Sequence, residues 1–183
     1  LAIVGTRDIS PYGKEWCRKL VKGMADTDRR PCIVSGLALG VDIEAHRTAL
    51  ESGLPTIAVM ATGPDVVYPF RHRETAGRIA STPGCALVTD YPPGTAPLAV
   101  HFLRRNRIIA GLSRSVVLIE SKIRGGGMMT CRLAFSYNRD VYALPGRIDD
   151  IRSQGCNELI RQKMAEPMTS LSSLIRDLGM KTL

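Results

Sequence analysis

Three glycine-containing segments have the residue types to hold an anion: Val4-Gly5-Thr6-Arg7, Ser35-Gly36-Leu37-Ala38-Leu39-Gly40 and Gly125-Gly126-Gly127. Each follows a short apolar, β-type run and leads toward a helical pattern. A small-residue loop between strand and helix binds anions because glycine lets the backbone approach and the first helical N–H groups lack acceptors. Arg7 adds a guanidinium suited to bidentate capture of a phosphate, the alternative being a local pair with Asp8. Lys122 and Arg124 precede the triple glycine, and Thr130 offers a hydroxyl to the same nest. Three consecutive glycines cost about 0.5–1 kcal/mol each relative to alanine. The run therefore predicts unusual dihedrals or a close approach, the bland alternative being a flexible turn.

A fourth segment, Arg104-Arg105-Asn106-Arg107, reads as the first turns of a helix with an apolar buried face. Arg104 and Arg107, three apart, share a face, whereas Arg105 points elsewhere. Asn106 is placed to cap the helix or order a neighbouring loop. Arginines near a helix start oppose its dipole, which favours an anion there. These residues belong to a basic stretch: between Tyr91 and Arg139 eight Lys or Arg face one acid, Glu120, and account for most of the chain's +8. Such a localised field is the footprint of a polyanion, nucleic acid above all, or else of a plain solvated surface.

The elements that must position these residues alternate. Apolar runs predict strands at Ala2–Val4, Cys32–Ser35, Thr56–Met60, Cys85–Thr89, Val116–Ile119 and Val141–Ala143. Helical spacing predicts a helix from Pro11–Lys14 to about Ala25, with Trp16, Leu20, Val21 and Met24 on one face. Further helices fit Val41–Ser52, Arg71–Ala80, Phe102–Gly111, Met128–Tyr137 and about Asn157–Lys163, with an amphipathic piece near Ser170–Leu178. This order predicts an α/β fold, a Rossmann-like, doubly wound, mainly parallel sheet with helices on both faces. The loops would then gather beyond the strand carboxyl ends, where such sheets bind ligands. Tyr91–Pro97, with three prolines, reads as a stiff loop delivering the basic helix. His46, Asp42 and the turn Gly63-x-Asp65-x-x-Tyr68-Pro69 read as structural, and Met128 and Met129 as core.

Composition narrows the class. At 183 residues, 44% hydrophobic and 23% charged, the chain is sized for one globular domain, 1–183. No apolar run approaches the roughly 20 residues that span a bilayer. Five scattered cysteines without a Cys-x-x-Cys pair argue against zinc or a disulfide scaffold and predict a cytoplasmic protein. The chain opens directly on a strand with no Met, which reads as the core of something longer. Neither Gly-x-x-x-x-Gly-Lys-[Ser/Thr] nor Gly-x-Gly-x-x-Gly occurs, and no carboxylate cluster suggests a metal-dependent nuclease. Phosphate binders without evident catalytic groups predict a binder with no cofactor and no metal.

Taken in order, the motifs resemble the DNA-processing protein A family (DprA, also called Smf). The matching pieces are Ala2-Ile3-Val4-Gly5-Thr6-Arg7, Ser35–His46, Thr56–Val59, Asp65-x-x-Tyr68-Pro69 and Tyr91–Thr95. They continue with Phe102-x-x-Arg105-Asn106-Arg107 through Leu112, Gly125–Thr130, Arg139–Gly146 and Ser153-x-Gly155-x-Asn157. The resemblance implies an extended Rossmann-like core that binds single-stranded DNA, acts in natural transformation, loads a RecA-type recombinase and forms homodimers. By position it puts Arg7 and the loop carrying Ser35, Gly36, Ala38 and Gly40 on DNA phosphates. Lys122, Gly125, Gly126 and Gly127 would line the same groove; the residue types and spacing read above add Arg104, Asn106, Arg107 and Thr130 as candidate contacts. Two departures stand out. Leu39 occupies a position that often carries a basic residue, and Gly125-Gly126-Gly127 replaces the usual Ser-Gly-Ser. The competing reading is a nucleotide-binding module or phosphoribohydrolase on a related fold, although the Pro-Gly-Gly-x-Gly-Thr-x-x-Glu signature of those enzymes is missing.

Overall fold

Short apolar runs form one sheet because each supplies alternating side chains to two buried faces. In the computed structural model, which describes residues 1–183, the strands are β1 (Ala2–Val4), β2 (Ile33–Ser35), β3 (Thr56–Val59), β4 (Ala86–Val88), β5 (Ser115–Leu118), β6 (Asp140–Ala143) and β7 (Glu166–Pro167). Their order is β4-β3-β2-β1-β5-β6-β7, and every ladder is parallel. The two-residue β7 escapes sequence reading because a proline and an acid at an edge carry no apolar signal.

The helices are α1 (Pro11–Ala25), α2 (Val41–Glu51), α3 (Arg73–Ser81), α4 (Ala99–Leu112), α5 (Gly126–Ser136), α6 (Gln154–Arg161) and α7 (Leu171–Asp177). Period-two alternation divides them between the faces. Ile3, Ile33, Val117 and Ile119 pack with Leu20 and Met24 of α1, Ala45 and Ala49 of α2, and Leu174 of α7. Ala2, Val4, Val116 and Leu118 pack with Ile109 of α4, Cys131 and Ala134 of α5, and Leu159 of α6. The fold is therefore the doubly wound, Rossmann-like α/β arrangement.

Helix α6 begins at Gln154 rather than near Asn157, and two further differences bear on the site. Helix α4 begins three residues early, at Ala99, immediately after the Pro97 loop, with Leu98 as an N-cap that makes no side-chain bond. Arg104, Arg105 and Arg107 consequently lie inside the helix, where the dipole argument for an anion does not apply. Met129, read as core, is 41% exposed, whereas Met128 is buried.

Strand order reverses between β1 and β5, which opens a crevice at their carboxyl ends. Backbones meet closely there. A Cβ on Gly127 would stand 2.7 Å from Leu118 Cδ1 and 3.2 Å from Gly5 Cα. Gly40 has φ 74°, and a Cβ on it would lie 2.2 Å from the Thr6 carbonyl oxygen. The Pro-rich loop is buckled to the turn before it: Asp65 accepts the Gly94 N–H at 2.8 Å, and Gly63 N–H donates to Thr95 O at 3.0 Å.

His46 is a structural histidine, fully buried in α2. The Thr56 hydroxyl donates to Ile33 O, so it accepts from His46 Nδ1 at 2.7 Å, leaving Nε2 without a partner. Burial, with Arg105 and His72 adding like charge, pushes the imidazole down to about 3. The folded state thus refuses a proton that the unfolded chain takes up below about 6.5. Stability should be complete above pH 6.5 and decline below it, by about 1.4 kcal/mol per pH unit for this one group. Urea melts from pH 7 to pH 4 check this, with the pH slope reduced in His46→Gln.

Candidate nucleic-acid interface

A groove of about 700 Å³ occupies the crevice. The loop after β1 brings Gly5, Thr6 and Arg7 to it, the β2–α2 connection brings Ala38 and the first turn of α2 brings Asp42, and the loop after β5 brings Lys122, Arg124 and Gly125, followed by Gly126 and Gly127 at the start of α5. Helix α4 contributes Phe102, Arg105, Asn106 and Ile109, one face at i, i+3, i+4 and i+7, and Tyr68 reaches in from the turn after β3.

Arg7 is held by packing rather than by an acid. Its guanidinium lies 5.4 Å from the Phe102 ring centroid, and Asp8, the local carboxylate, pairs instead with Arg152 at 2.6 Å. Neither Lys122 nor Arg124 forms an ion pair. The backbone beneath them is fixed from below. Thr6 N–H donates to Glu120 O at 2.7 Å, and the buried Glu120 carboxylate accepts both the N–H and the hydroxyl of Ser10.

The two helix starts at the groove differ in what they leave open. At α2 most first-turn donors are taken by the chain itself: Val41 N–H donates to Thr6 O at 3.1 Å, Ile43 N–H to Ala38 O at 3.1 Å and Glu44 N–H to Gly40 O at 3.2 Å. At α5, Gly125 N–H donates to Lys122 O, but the N–H groups of Gly126 and Gly127 have no protein acceptor. Two unpaired donors at a helix N-terminus, with Lys122 and Arg124 beside them, have the chemistry an anion requires. None of the three glycines has a positive φ; Gly127 is needed for its approach to Gly5, whereas a Cβ on Gly126 would meet nothing within 4 Å.

Arg105 is 4% exposed. Its Nη1 donates to the carbonyls of Gly36 and Val59, its Nε donates to Asn106 Oδ1 at 3.2 Å, and it lies 5.9 Å from the Phe102 ring centroid. Burial pushes Asp42 up and Arg105 down, and the opposite charge of each resists the other's shift. Asp42 is the sole carboxylate in the lining.

Of the residues singled out from sequence, the groove brings together Arg7, Ala38, Asn106, Lys122, Gly125, Gly126, Gly127 and Thr130. Ser35, Gly36 and Gly40 lie behind it: the Ser35 hydroxyl donates to Ile3 O at 2.6 Å, Gly36 packs against the Arg105 guanidinium, and Gly40 approaches the Thr6–Arg7 backbone. Arg104 and Arg107 are exposed outside the lining, and Arg107 pairs with Asp90. Asn106 neither caps a helix nor orders a loop but accepts from Arg105. The sequence reading did not place Tyr68, Phe102, Arg105 or Arg124 in the site. Phe102 and Arg105 carried a usable signal, since they share helical spacing with Asn106 and Ile109.

Comparison with known proteins bears on the family and the fold. The family model for DNA recombination-mediator protein A matches residues 1–179. A DNA processing protein DprA of Streptococcus pneumoniae is 43% identical over 162 residues, covering 88% of this chain and 56% of that protein. A protein Smf of Escherichia coli is 41% identical over 177 residues, covering 95% of this chain and 46% of that protein. The chain thus spans about half the length of these relatives. A solved DNA processing protein A from Helicobacter pylori, described for its single-stranded DNA binding mode, superposes with a TM-score of 0.86 at 32% identity, covering 97% of this chain and 78% of that one. With nearly its whole length matched in both sequence and fold, the chain belongs to the DNA recombination-mediator protein A family.

Proposed function

We propose that this chain binds single-stranded DNA along the groove at the β1–β5 switch point and does so without catalysing a reaction on it. The observation that carries the reading is the pairing of free cations with an aromatic platform. Arg7, Lys122 and Arg124 are unneutralised, and beside them Tyr68 and Phe102 meet edge to face with centroids 5.5 Å apart. Cations that track phosphates, with rings that accept any base, are what sequence-tolerant single-strand binding requires. Phosphates would lie on Arg7, Lys122, Arg124 and the open N–H groups of Gly126 and Gly127. Asp42 engages Gly36 N–H, so the groove's one carboxylate is turned inward rather than offered as a general base. Family membership extends the proposal to a cytoplasmic homodimer that hands strands to a RecA-type recombinase.

Fluorescence anisotropy of labelled oligo-dT against a matched duplex, over a salt series, tests the reading. Preference for the single strand, with affinity falling as salt rises, is the expected result. Equal weak binding to both would reduce the groove to generic basicity. Release of free base from nucleoside monophosphates would replace the proposal with the phosphoribohydrolase reading. Arg7→Ala should weaken strand binding several-fold and lower the salt slope by about 0.7, the value of one single-strand phosphate contact. Its melting temperature should hold, because Arg7 is exposed and in no ion pair. Phe102→Ala should cost about 1–3 kcal/mol of binding, the worth of one stacked base, while Phe102→Trp retains most of the affinity. Titrations of the two variants at one salt concentration check this.

A further inference from the structure

Beyond the Gly125 rim of the groove lies a second cleft, about 420 Å³ in volume. It is lined by Ile123, Met128, Met129 and Leu133, with the guanidinium groups of Arg124 and Arg132 and no acid. Its apolar surface is open to solvent: Ile123 is 51% and Met129 41% exposed, while Met128 is buried beneath them. Neither arginine forms an ion pair. Arg124 and Gly125 belong to the lining of both cavities, so the cleft continues the groove rather than standing apart from it.

Apolar surface flanked by unpaired cations suits a ligand that is flat and apolar in one part and anionic in the next. A nucleotide has that division, since its base has two π-faces and its phosphate a full charge. Methionine fits the first part well, because its thioether is polarisable, adapts to a ring and makes favourable sulfur–aromatic contacts. Arginine fits the second through charge-assisted bonds to phosphate oxygens.

Resting on the single-strand reading of the groove, we propose that the cleft is a further nucleotide subsite. A strand leaving the groove crosses the Gly125 rim, seats one base against Ile123 and Met129, and lays the adjoining phosphates on Arg124 and Arg132. An acidic protein partner would meet the same charges. The shared Arg124 favours one continuous polyanion, because a single strand can engage it while filling both cavities. The footprint is then longer than the groove, and its extension tolerates any base, as no hydrogen-bonding side chain other than the two arginines lines the cleft.

The test is a length series of oligo-dT from about 4 to 16 nucleotides, the range of typical single-strand site sizes. It is titrated against the unaltered chain and against Arg132→Ala and Met129→Ala, each checked by thermal melting. Both variants should bind the shortest strands normally and lose about five- to tenfold on strands long enough to cross the rim, a loss near the low end for one stacked base. Strands carrying a single 4-thiothymidine should crosslink to the 123–133 segment from positions near one end, and to the Tyr68–Phe102 side from interior positions. Unchanged affinity at every length would overturn the subsite and leave the cleft as a surface for a protein. Equal loss at every length would overturn it too, by making these residues part of the groove itself. Arg7→Ala separates the two levels: if it and both cleft variants all bind normally, the groove reading itself has failed.

Discussion

Glu120 is the only acid in the chain's most basic stretch, and it is 1% exposed with no cation partner. A buried carboxylate persists only where hydrogen bonds replace its hydration. Here the N–H and hydroxyl of Ser10 do so, at the N-terminus of α1, where the helix dipole adds its own stabilisation. The same residue's carbonyl takes the Thr6 N–H. One position thus pins the end of β5, the loop after β1 and the start of α1. Arg7 projects from that pinned loop, so its placement over Phe102 is inherited from an interaction in which it takes no part.

Arg105 plays the matching role on the other wall. It enters the interior because Gly36 has no side chain: a Cβ there would come within 2.4 Å of the guanidinium. Two carbonyls receive its protons, and Asp42 lies close enough to moderate its charge. The buried pair is costly to assemble in itself. Its effect is to lock α4 to the ends of β2 and β3, and with α4 comes the ring of Phe102. A half-buried aromatic packed near the Arg7 and Arg105 guanidinium groups loses little freedom when a base arrives.

Most of the fold was legible because its signals are local. Apolar runs of three to five residues gave strands within a residue of their observed limits, and the start read at Pro11–Lys14 contains the first residue of α1, Pro11. Where the signal was weak, so was the reading. Ala99 follows a proline loop without a capping side chain, and β7 has no apolar residue to announce it. The site was legible in its loops and less so in its helix. Counting charges drew attention to Arg104 and Arg107, yet both point outward and one is neutralised by Asp90. Arg105 was set aside because helical spacing turns it away from the face of Arg104 and Arg107, yet that other face, shared with Phe102 and Asn106, is the one that lines the groove. Tyr68 could not have been found this way, since only tertiary packing brings the turn after β3 against α4.

The run Gly125-Gly126-Gly127 leaves part of the groove built from peptide groups. Peptide donors have no titratable proton in the physiological range and no hydroxyl for a kinase to modify. Nor can most substitutions remove them, because every residue but proline supplies the same N–H. Acidity and modification leave this hydrogen-bonding capacity untouched, and so do most substitutions at Gly126, where a Cβ would meet nothing within 4 Å, whereas a side chain at Gly125 or Gly127 would collide with Ser121 or Leu118 and shift the donors. Adjustment over evolutionary time must fall on the cations and rings around it, while the backbone beneath answers only to a change in the path of the chain.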